Sequence, residues 1–207
     1  MSKKVLVFAE VRDGNPRNVS LEVLTAARRA AAGGSVAATV FGSVSASCAN
    51  ILAQSGADEV LLVADSRLNE YTTDAFVQAF TKVIQDVRPD IILLGHTSIG
   101  KDMAPRAAAR LGAGLVTDCI GVEIDGDEPA FIRPIYAGKA FVKKAFRDGL
   151  IFATIRPNNI APNEPDPSIV PNVEELSVEL DSDLLRALVK NIVKKSGDGV
   201  DLSEARV

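Results

Sequence analysis

The sequence predicts an α/β domain with a doubly wound, mainly parallel sheet, helices on both of its faces and an extension by antiparallel hairpins. Short apolar runs rich in β-branched residues recur between residues 5 and 116, which is typical of strands buried on both faces of a parallel sheet. Segments with helical apolar spacing alternate with these runs, as in βαβ units. From about residue 117 the pattern changes to short strands joined by tight turns, which predicts hairpins.

The elements of the parallel part follow in order. The predicted strands are Val5–Ala9, Ser35–Phe41, Val60–Ala64 and Ile91–Leu94. Four helices are predicted. The first is capped by Asn18 and ended by Gly33 and Gly34, and the second covers Ser47–Ser55. The third runs from Thr72 or Thr73 to about Val87, and the fourth ends near Leu111. Polar caps and terminal glycines or prolines set these bounds.

The hairpin region carries four predicted strands: Cys119–Ile124, Ala130–Ile135, Ala140–Phe146 and Leu150–Ile155. Asp-Gly pairs separate the first two and the last two, and Asp-Gly is a strong hairpin signal. Residues 157–171 contain five prolines and predict an extended loop. The α/β domain is therefore expected over residues 1–171. Residues 172–207 form a tail, in which 173–180 favours a strand and the apolar spacing of 185–193 favours a helix.

Composition limits the function classes. The chain has 207 residues and a net charge of −4, which does not suit a nucleic-acid-binding protein. No apolar window reaches about 18 residues, so we expect no membrane insertion. The start of the sequence shows no targeting segment, and Cys48 and Cys119 are isolated. We therefore expect a cytoplasmic protein.

One turn is a candidate anion site. The strand Ile91–Leu94 leads through a glycine-bearing turn into a helix, and backbone N–H groups at such a helix start can face an anion. The candidate residues are Gly95, Thr97, Ser98, Gly100 and Lys101. Their spacing matches neither the dinucleotide fingerprint nor the P-loop. Close packing between helix and sheet is therefore the favoured interpretation of the glycines.

No catalytic residue and no metal site are predicted. His96 is the only histidine, and only Ser98 and Asp102 lie near it in the sequence, without the motif of a serine nucleophile. The cysteines and carboxylates have no ligand spacing. The lack of a complete active site favours a subunit or carrier domain over a free-standing enzyme. The hairpin region is locally basic, which fits either a partner surface or an ordinary solvated face.

Several segments together resemble one family. They are Leu6–Glu10, Leu24–Arg28, Ala57–Val60, Gly95–Gly112, Arg133–Ala140, Thr154–Pro157 and Asp201–Val207. In collinear order over nearly the whole chain, they resemble the alpha subunit of electron transfer flavoprotein. The resemblance implies a fold like that of the adenine nucleotide alpha hydrolases and a heterodimer with a beta subunit. It also implies FAD in a C-terminal domain, which takes electrons from dehydrogenases and passes them to a quinone oxidoreductase of the respiratory chain.

The resemblance also places this chain within that subunit. The glycine-rich FAD segment of the family would follow Val207, so we expect a truncated N-terminal scaffold domain that is not catalytic and does not hold FAD by itself. Residues 172–207 are expected to be an extended linker toward the FAD-binding domain. Contact with the beta subunit is expected in the region Thr117–Ile155 and beside it, through Arg133, Tyr136, Lys139 and Arg156.

Two alternatives remain open. The first is an adenine-nucleotide-binding module of the universal-stress-protein type, which would use the turn Gly95–Lys101 for phosphates. The second is an enzyme with His96 as base, and it ranks last because no neighbour in the sequence completes the site.

Overall fold

The computed structural model describes residues 2–126 and 128–193. The strands are β1 Val5–Phe8, β2 Val11–Arg12, β3 Asn15–Pro16, β4 Val36–Phe41, β5 Glu59–Val63, β6 Ile91–Gly95, β7 Gly114–Cys119, β8 Gly121–Asp125, β9 Glu128–Ile135, β10 Ala140–Lys144, β11 Ile151–Ile155 and β12 Val173–Glu175. The α-helices are α1 Asn18–Ala31, α2 Ala46–Gln54, α3 Thr73–Val87 and α4 Ser98–Leu111. Short 3₁₀ helices cover Ser66–Leu68, Tyr136–Gly138 and Ser182–Leu184.

The central sheet has seven strands in the order β12-β5-β4-β1-β6-β11-β7, and every neighbouring pair is parallel. Successive strand residues point to opposite faces. Leu93 therefore packs with α1 and α2 on one face, whereas Leu94 packs with α3 and α4 on the other. The α/β class with helices on both faces is confirmed.

The predicted helices are present, and α3 has Thr72, one of its two predicted caps, but the cap of α1 differs from expectation. Arg17, and not Asn18, is the N-cap of α1, because the Asn18 side chain instead donates to Glu22 Oε1 (2.6 Å). Thr72 is the N-cap of α3, but its side chain makes no capping hydrogen bond. Neither helix depends on these caps, since each has a fully buried apolar face.

The antiparallel strands lie beside the central sheet and do not lengthen it. β8, β9 and β10 form a separate sheet in the order β10-β9-β8, called the hairpin sheet below. The fourth predicted strand, β11, returns to the central sheet and pairs in parallel with β6 and β7. All five residues of β11 are buried, and such a strand requires cover on both faces. The strands of the hairpin sheet have exposed positions, so they do not require cover on both faces.

The tail follows the domain surface. β12 is only three residues long and pairs with the edge strand β5, and Val178 and Leu180 are buried against the layer that contains α3. Residues 185–193 form neither helix nor strand, so the helix favoured by their spacing does not form. Asp201–Val207 lies outside the described residues. Within the described part of the chain, the helices are too short or too polar to cross a bilayer.

Candidate functional site

The crevice at the carboxyl ends of β1 and β6 is the first candidate site. The chain proceeds from β1 to β4 and β5 on one side and then crosses to β6 on the other side of β1. Such a reversal of strand order is the position where open α/β sheets bind ligands. The loop after β1 and the turn after β6 border this crevice, so the structure places the predicted anion residues at its edge.

Packing accounts for the two glycines of the turn. A Cβ on Gly100 would lie 1.8 Å from the carbonyl oxygen of Gly95, and a Cβ on Gly95 would lie 2.8 Å from Cγ2 of Val19. Each of these distances is too short for a side chain. The glycines therefore allow α4 and α1 to approach the end of β6, which agrees with the favoured interpretation of the sequence.

The chain's own carboxylate lies in the crevice. Thr97 is the N-cap of α4 and accepts a hydrogen bond from the Gly100 backbone N–H (3.1 Å). Its hydroxyl donates to Oε1 of Glu10 (2.5 Å), and Nη1 of Arg17 donates to Oε2 of Glu10 (2.9 Å). Glu10 is only 4% exposed, and a buried carboxylate requires such partners. Ser98 and Lys101 are exposed at the rim.

A cavity of about 250 Å³ lies beside two of the side chains that bond to Glu10. Both α1 and α4 begin at it, so their positive ends meet there. Its lining residues are Arg17, Asn18, Val19, His96, Thr97, Ser98, Pro157 and Asn158. The two side chains that hold Glu10 therefore also line the cavity.

His96 belongs to a polar cluster at the ends of β6, β7 and β11. Its Nδ1 lies 2.9 Å from the Thr154 hydroxyl, and its Nε2 lies 3.7 Å from Oδ1 of Asp118. Burial lowers the pKa of His96, and the charge of Asp118 partly opposes this shift. The described contacts of the His96 ring are thus with a hydroxyl and a carboxylate, but Thr154 is fully buried in β11, so its hydroxyl is not open to a substrate as a nucleophile would have to be.

Arg156 and Asp118 form a bidentate ion pair within this cluster. Nε and Nη2 of Arg156 donate to the two carboxylate oxygens of Asp118 at 2.8 and 2.6 Å, and these bonds hold the pKa of Asp118 below its usual value. Asp118 has a positive φ of 63°, and its N–H donates to the Thr154 hydroxyl (3.0 Å). This strained residue lies where the pairing of β7 with β11 shifts register.

The four predicted partner residues separate into two pairs. Tyr136 and Lys139 are exposed at the tip that joins β9 to β10, and Tyr136 is 77% exposed. Arg133 and Arg156 point toward the ends of the strands, where Arg133 donates to the Thr117 hydroxyl (3.3 Å). Both arginines interact electrostatically with Asp118. The sequence spacing could not show this separation.

Phe141 is a surface residue that the sequence analysis missed. It lies on β10 directly opposite Pro134 of β9 and is 62% exposed. At the adjoining tip, Tyr136, Ala137 and Gly138 all have positive φ values, of 50°, 54° and 85°. Positive φ is costly for the two residues with side chains. The tip therefore presents an exposed aromatic ring on a strained backbone, close to a second exposed ring.

Neither cysteine is placed for chemistry. Burial raises the pKa of the Cys48 thiol to about 11 and that of Cys119 to about 12, so both act as small apolar residues. Among residues 2–126 and 128–193, no group of three histidine, cysteine or carboxylate side chains could hold a metal ion.

Comparison with known proteins identifies the family. The family model of the electron transfer flavoprotein domain matches residues 5–181. The chain belongs to the electron transfer flavoprotein family. The resemblance inferred from the sequence is thereby confirmed.

Three relatives indicate the position of this electron transfer flavoprotein chain within the family. It is 44% identical over 207 residues to the electron transfer flavoprotein subunit alpha of Bacillus subtilis (strain 168), covering 100% of this chain and 63% of the relative. It is 37% identical to protein FixB of Clostridium saccharobutylicum, with 99% and 62% covered. It is 35% identical over 125 residues to the acryloyl-CoA reductase electron transfer subunit beta of Anaerotignum propionicum, with 59% and 34% covered. The chain thus spans less than two thirds of the length of these relatives.

The sequence analysis also missed the polar residues that organise the crevice. Glu10 and Asp118 lie at strand ends, as functional carboxylates often do, but no motif marks them. For Glu10, the only local signal is a charged residue directly after a fully apolar strand, and Asp118, which lies inside β7 after Thr117, lacks even that signal. The signal at Glu10 identifies a position at the carboxyl edge and does not identify the partner.

Proposed function

We propose that this chain is the N-terminal scaffold domain of an electron transfer flavoprotein alpha subunit. In this proposal it pairs with a beta subunit, and the complete heterodimer carries electrons through FAD from dehydrogenases to a quinone oxidoreductase of the respiratory chain. The 44% identity to an alpha subunit over the whole of this chain supports the assignment. The domain itself is proposed to be non-catalytic, because the Thr154 hydroxyl beside His96 is fully buried and is closed to a substrate.

The FAD is proposed to lie outside these residues. The crevice that this fold would offer to a dinucleotide contains Glu10 with its partners Arg17 and Thr97. The adjoining cavity of about 250 Å³ is below the roughly 300–1,000 Å³ of sites for drug-sized ligands. A visible absorption spectrum of the purified chain, recorded after addition of FAD and removal of free flavin, should show no flavin band. A stoichiometric band would contradict this part of the proposal.

The exposed aromatic side chains of the hairpin sheet are the observation that supports a partner surface there. Tyr136 and Phe141 are 77% and 62% exposed and have basic neighbours in Lys139 and Lys143. Exposed apolar surface rimmed by charge is typical of protein interaction sites, and tyrosine is enriched among the residues that dominate binding energy. We propose that the beta subunit contacts the tip through Tyr136 and Lys139. Arg133 and Arg156 would support this surface from behind.

Calorimetric titration of the chain with the beta subunit tests this surface. Tyr136→Ala should weaken binding by about tenfold or more, since a dominant interface side chain contributes more than about 1 kcal/mol. Arg133→Ala should weaken it less, because Arg133 would act through the orientation of the tip. Leu188→Ala is the matched control, because Leu188 is 82% exposed but lies in the tail. Unchanged affinity of Tyr136→Ala would refute the placement.

The cavity also supports a second candidate function, that of an adenine-nucleotide-binding module of the universal-stress-protein type. The observation that favours it is the meeting of two helix starts at the cavity beside Thr97 and Ser98. A nucleotide at 100 times its dissociation constant stabilises a protein by about 2.7 kcal/mol. A rise in the melting temperature with ATP or AMP would support the module. No shift, together with binding to the beta subunit, would support the scaffold.

A further inference from the structure

We propose that Glu10 is a built-in anion that keeps the ligand crevice of this domain closed, and that its removal opens a site for a phosphate group between Arg17 and Thr97. The inference goes beyond the scaffold function, because it concerns what the crevice itself can bind. It also explains why the domain keeps the architecture of a ligand crevice although the Glu10 side chain lies in that crevice.

The placement of the carboxylate is the first step. Glu10 follows β1 directly at the reversal of strand order, where open α/β sheets bind their ligands. Its two oxygens accept from the Thr97 hydroxyl at 2.5 Å and from Arg17 Nη1 at 2.9 Å. Its backbone carbonyl accepts from the Arg17 N–H and the Ser20 hydroxyl, each at 2.9 Å. The loop after β1 therefore holds this residue at both its backbone and its side chain.

The groups that hold Glu10 are groups that would also hold phosphate. A guanidinium and a hydroxyl at the N-cap of a helix both donate to anionic oxygens. Arg17 and Thr97 line the cavity of about 250 Å³, together with Ser98 at the first turn of α4 and Asn18 at the start of α1. The cavity supplies room for a group larger than the carboxylate.

Competition follows from this geometry. A phosphate in the cavity would have to share Arg17 and Thr97 with Glu10, and two anions at that separation in a buried setting repel each other strongly. With Glu10 present, the crevice is therefore closed to anions. With Glu10 truncated, Arg17 and Thr97 lose this carboxylate, and a phosphate that enters from the cavity lined by both side chains takes its place.

Thermal unfolding in inorganic phosphate tests the proposal, with potassium chloride at equal ionic strength as reference. The wild-type chain should show no phosphate-specific rise. Glu10→Ala should unfold at a lower temperature than wild type in chloride and should regain stability with the logarithm of the phosphate concentration. By calorimetry, its dissociation constant for phosphate should be at least about tenfold below that of wild type, a difference of about 1.4 kcal/mol.

Three variants make the result specific. Glu10→Ala combined with Arg17→Ala should lose the phosphate effect, because the guanidinium is the main donor. Glu10→Gln keeps the volume filled, so it should bind phosphate less well than Glu10→Ala. Asp58→Asn is the matched control: Asp58 also accepts from an arginine, Arg28, and from the N–H of Val36, but none of these residues lines the cavity, and the variant should gain no phosphate response.

Several outcomes would overturn the proposal. They are a folded Glu10→Ala chain without a phosphate response, an equal response in Asp58→Asn, or phosphate binding by wild type as tight as by the variant. Failure of Glu10→Ala to refold even in phosphate would also contradict it, because phosphate should take the place of the carboxylate. None of these results depends on the beta subunit, so they leave the scaffold function to its own test.

Discussion

The crevice at the ends of β1 and β6 and the tip of the hairpin sheet differ in whether their side chains are already bonded within the domain. In the crevice, Glu10, Arg17 and Thr97 are bonded to one another, and Glu10 is 4% exposed. At the tip, Tyr136 is 77% exposed on a left-handed backbone. Groups that already satisfy one another stabilise the domain, whereas unburied aromatic surface is available to a partner. The crevice, which has the more familiar architecture of a ligand site, is thus less available for binding than the tip.

The largest expected difference between the central domain and the hairpin sheet is in the cost of removing a phenylalanine. Phe80 is fully buried and packs edge-on against Phe8, Phe41 and Phe152. Phe80→Ala should lower the free energy of unfolding by about 3–5 kcal/mol. Phe141→Ala, at an exposed position, should change it by no more than about 0.5 kcal/mol. Urea denaturation measures both, and equal losses would show that the hairpin sheet is as tightly packed as the core.

A smaller loss in the free energy of unfolding is expected when a closely packed glycine is replaced by alanine. Gly100→Ala places a Cβ against the Gly95 carbonyl, and we expect a loss of about 1–3 kcal/mol, as for overpacked interiors. Gly121→Ala is the control on the hairpin side, because its Cβ would meet only Ile132 Cδ1 at 3.7 Å. It should change stability by about 1 kcal/mol or less. A stable Gly100→Ala chain would mean that α4 can move away from β6 and that the crevice is less rigid than the contacts indicate.

The smallest expected loss in the free energy of unfolding is that of a substitution at Asp118, which lies between the crevice and the hairpin sheet. Asp118→Asn should cost about 1–2 kcal/mol at neutral pH, as for a partly exposed charged hydrogen bond. Because the folded-state pKa of Asp118 is lowered by Arg156, its contribution is present above the unfolded-state pKa and is lost as the pH falls through the folded-state pKa.

Urea denaturation over an acidic pH series measures this effect. The difference between wild type and Asp118→Asn should begin to shrink as the pH falls below about 4, near the usual aspartate pKa, and should vanish only below the lowered folded-state pKa of Asp118. Asp148→Asn, on an exposed turn, should show a much smaller difference at every pH. A gap between wild type and Asp118→Asn that persists into acid would show that the effect does not come from the charge of residue 118.

Much of the fold could be predicted because it is encoded locally. The apolar run Ile91–Leu94 and the stripe of α3 identify their elements without help from distant residues, and the structure contains both. The positions of Cys119–Ile124 and Leu150–Ile155 could not be predicted in the same way. Both read as short strands, but β8 joins the hairpin sheet and β11 joins the central sheet. β11 is buried throughout between β6 and β7, whereas β8 has exposed positions.

The candidate sites show the same limit. The glycine turn was visible in the sequence, and so was its favoured interpretation as a packing feature. The partner of Thr97, by contrast, is Glu10, which lies 87 residues away in the sequence, and Arg156 reaches Asp118 across 38 residues. Such pairs have no spacing rule. The placement of the partner surface at Tyr136 and Lys139 stays a prediction for the binding experiment.

By itself, the sequence determined the α/β class, the helices and the buried strands, because periodicity and turn residues act over a few positions. It also carried the membership of the electron transfer flavoprotein family. Only the tertiary structure decided which strands share a sheet, that Glu10 occupies the crevice and that Tyr136 stays exposed. Those outcomes depend on burial and on contacts between distant residues, and these arise only when the chain closes into one packed domain.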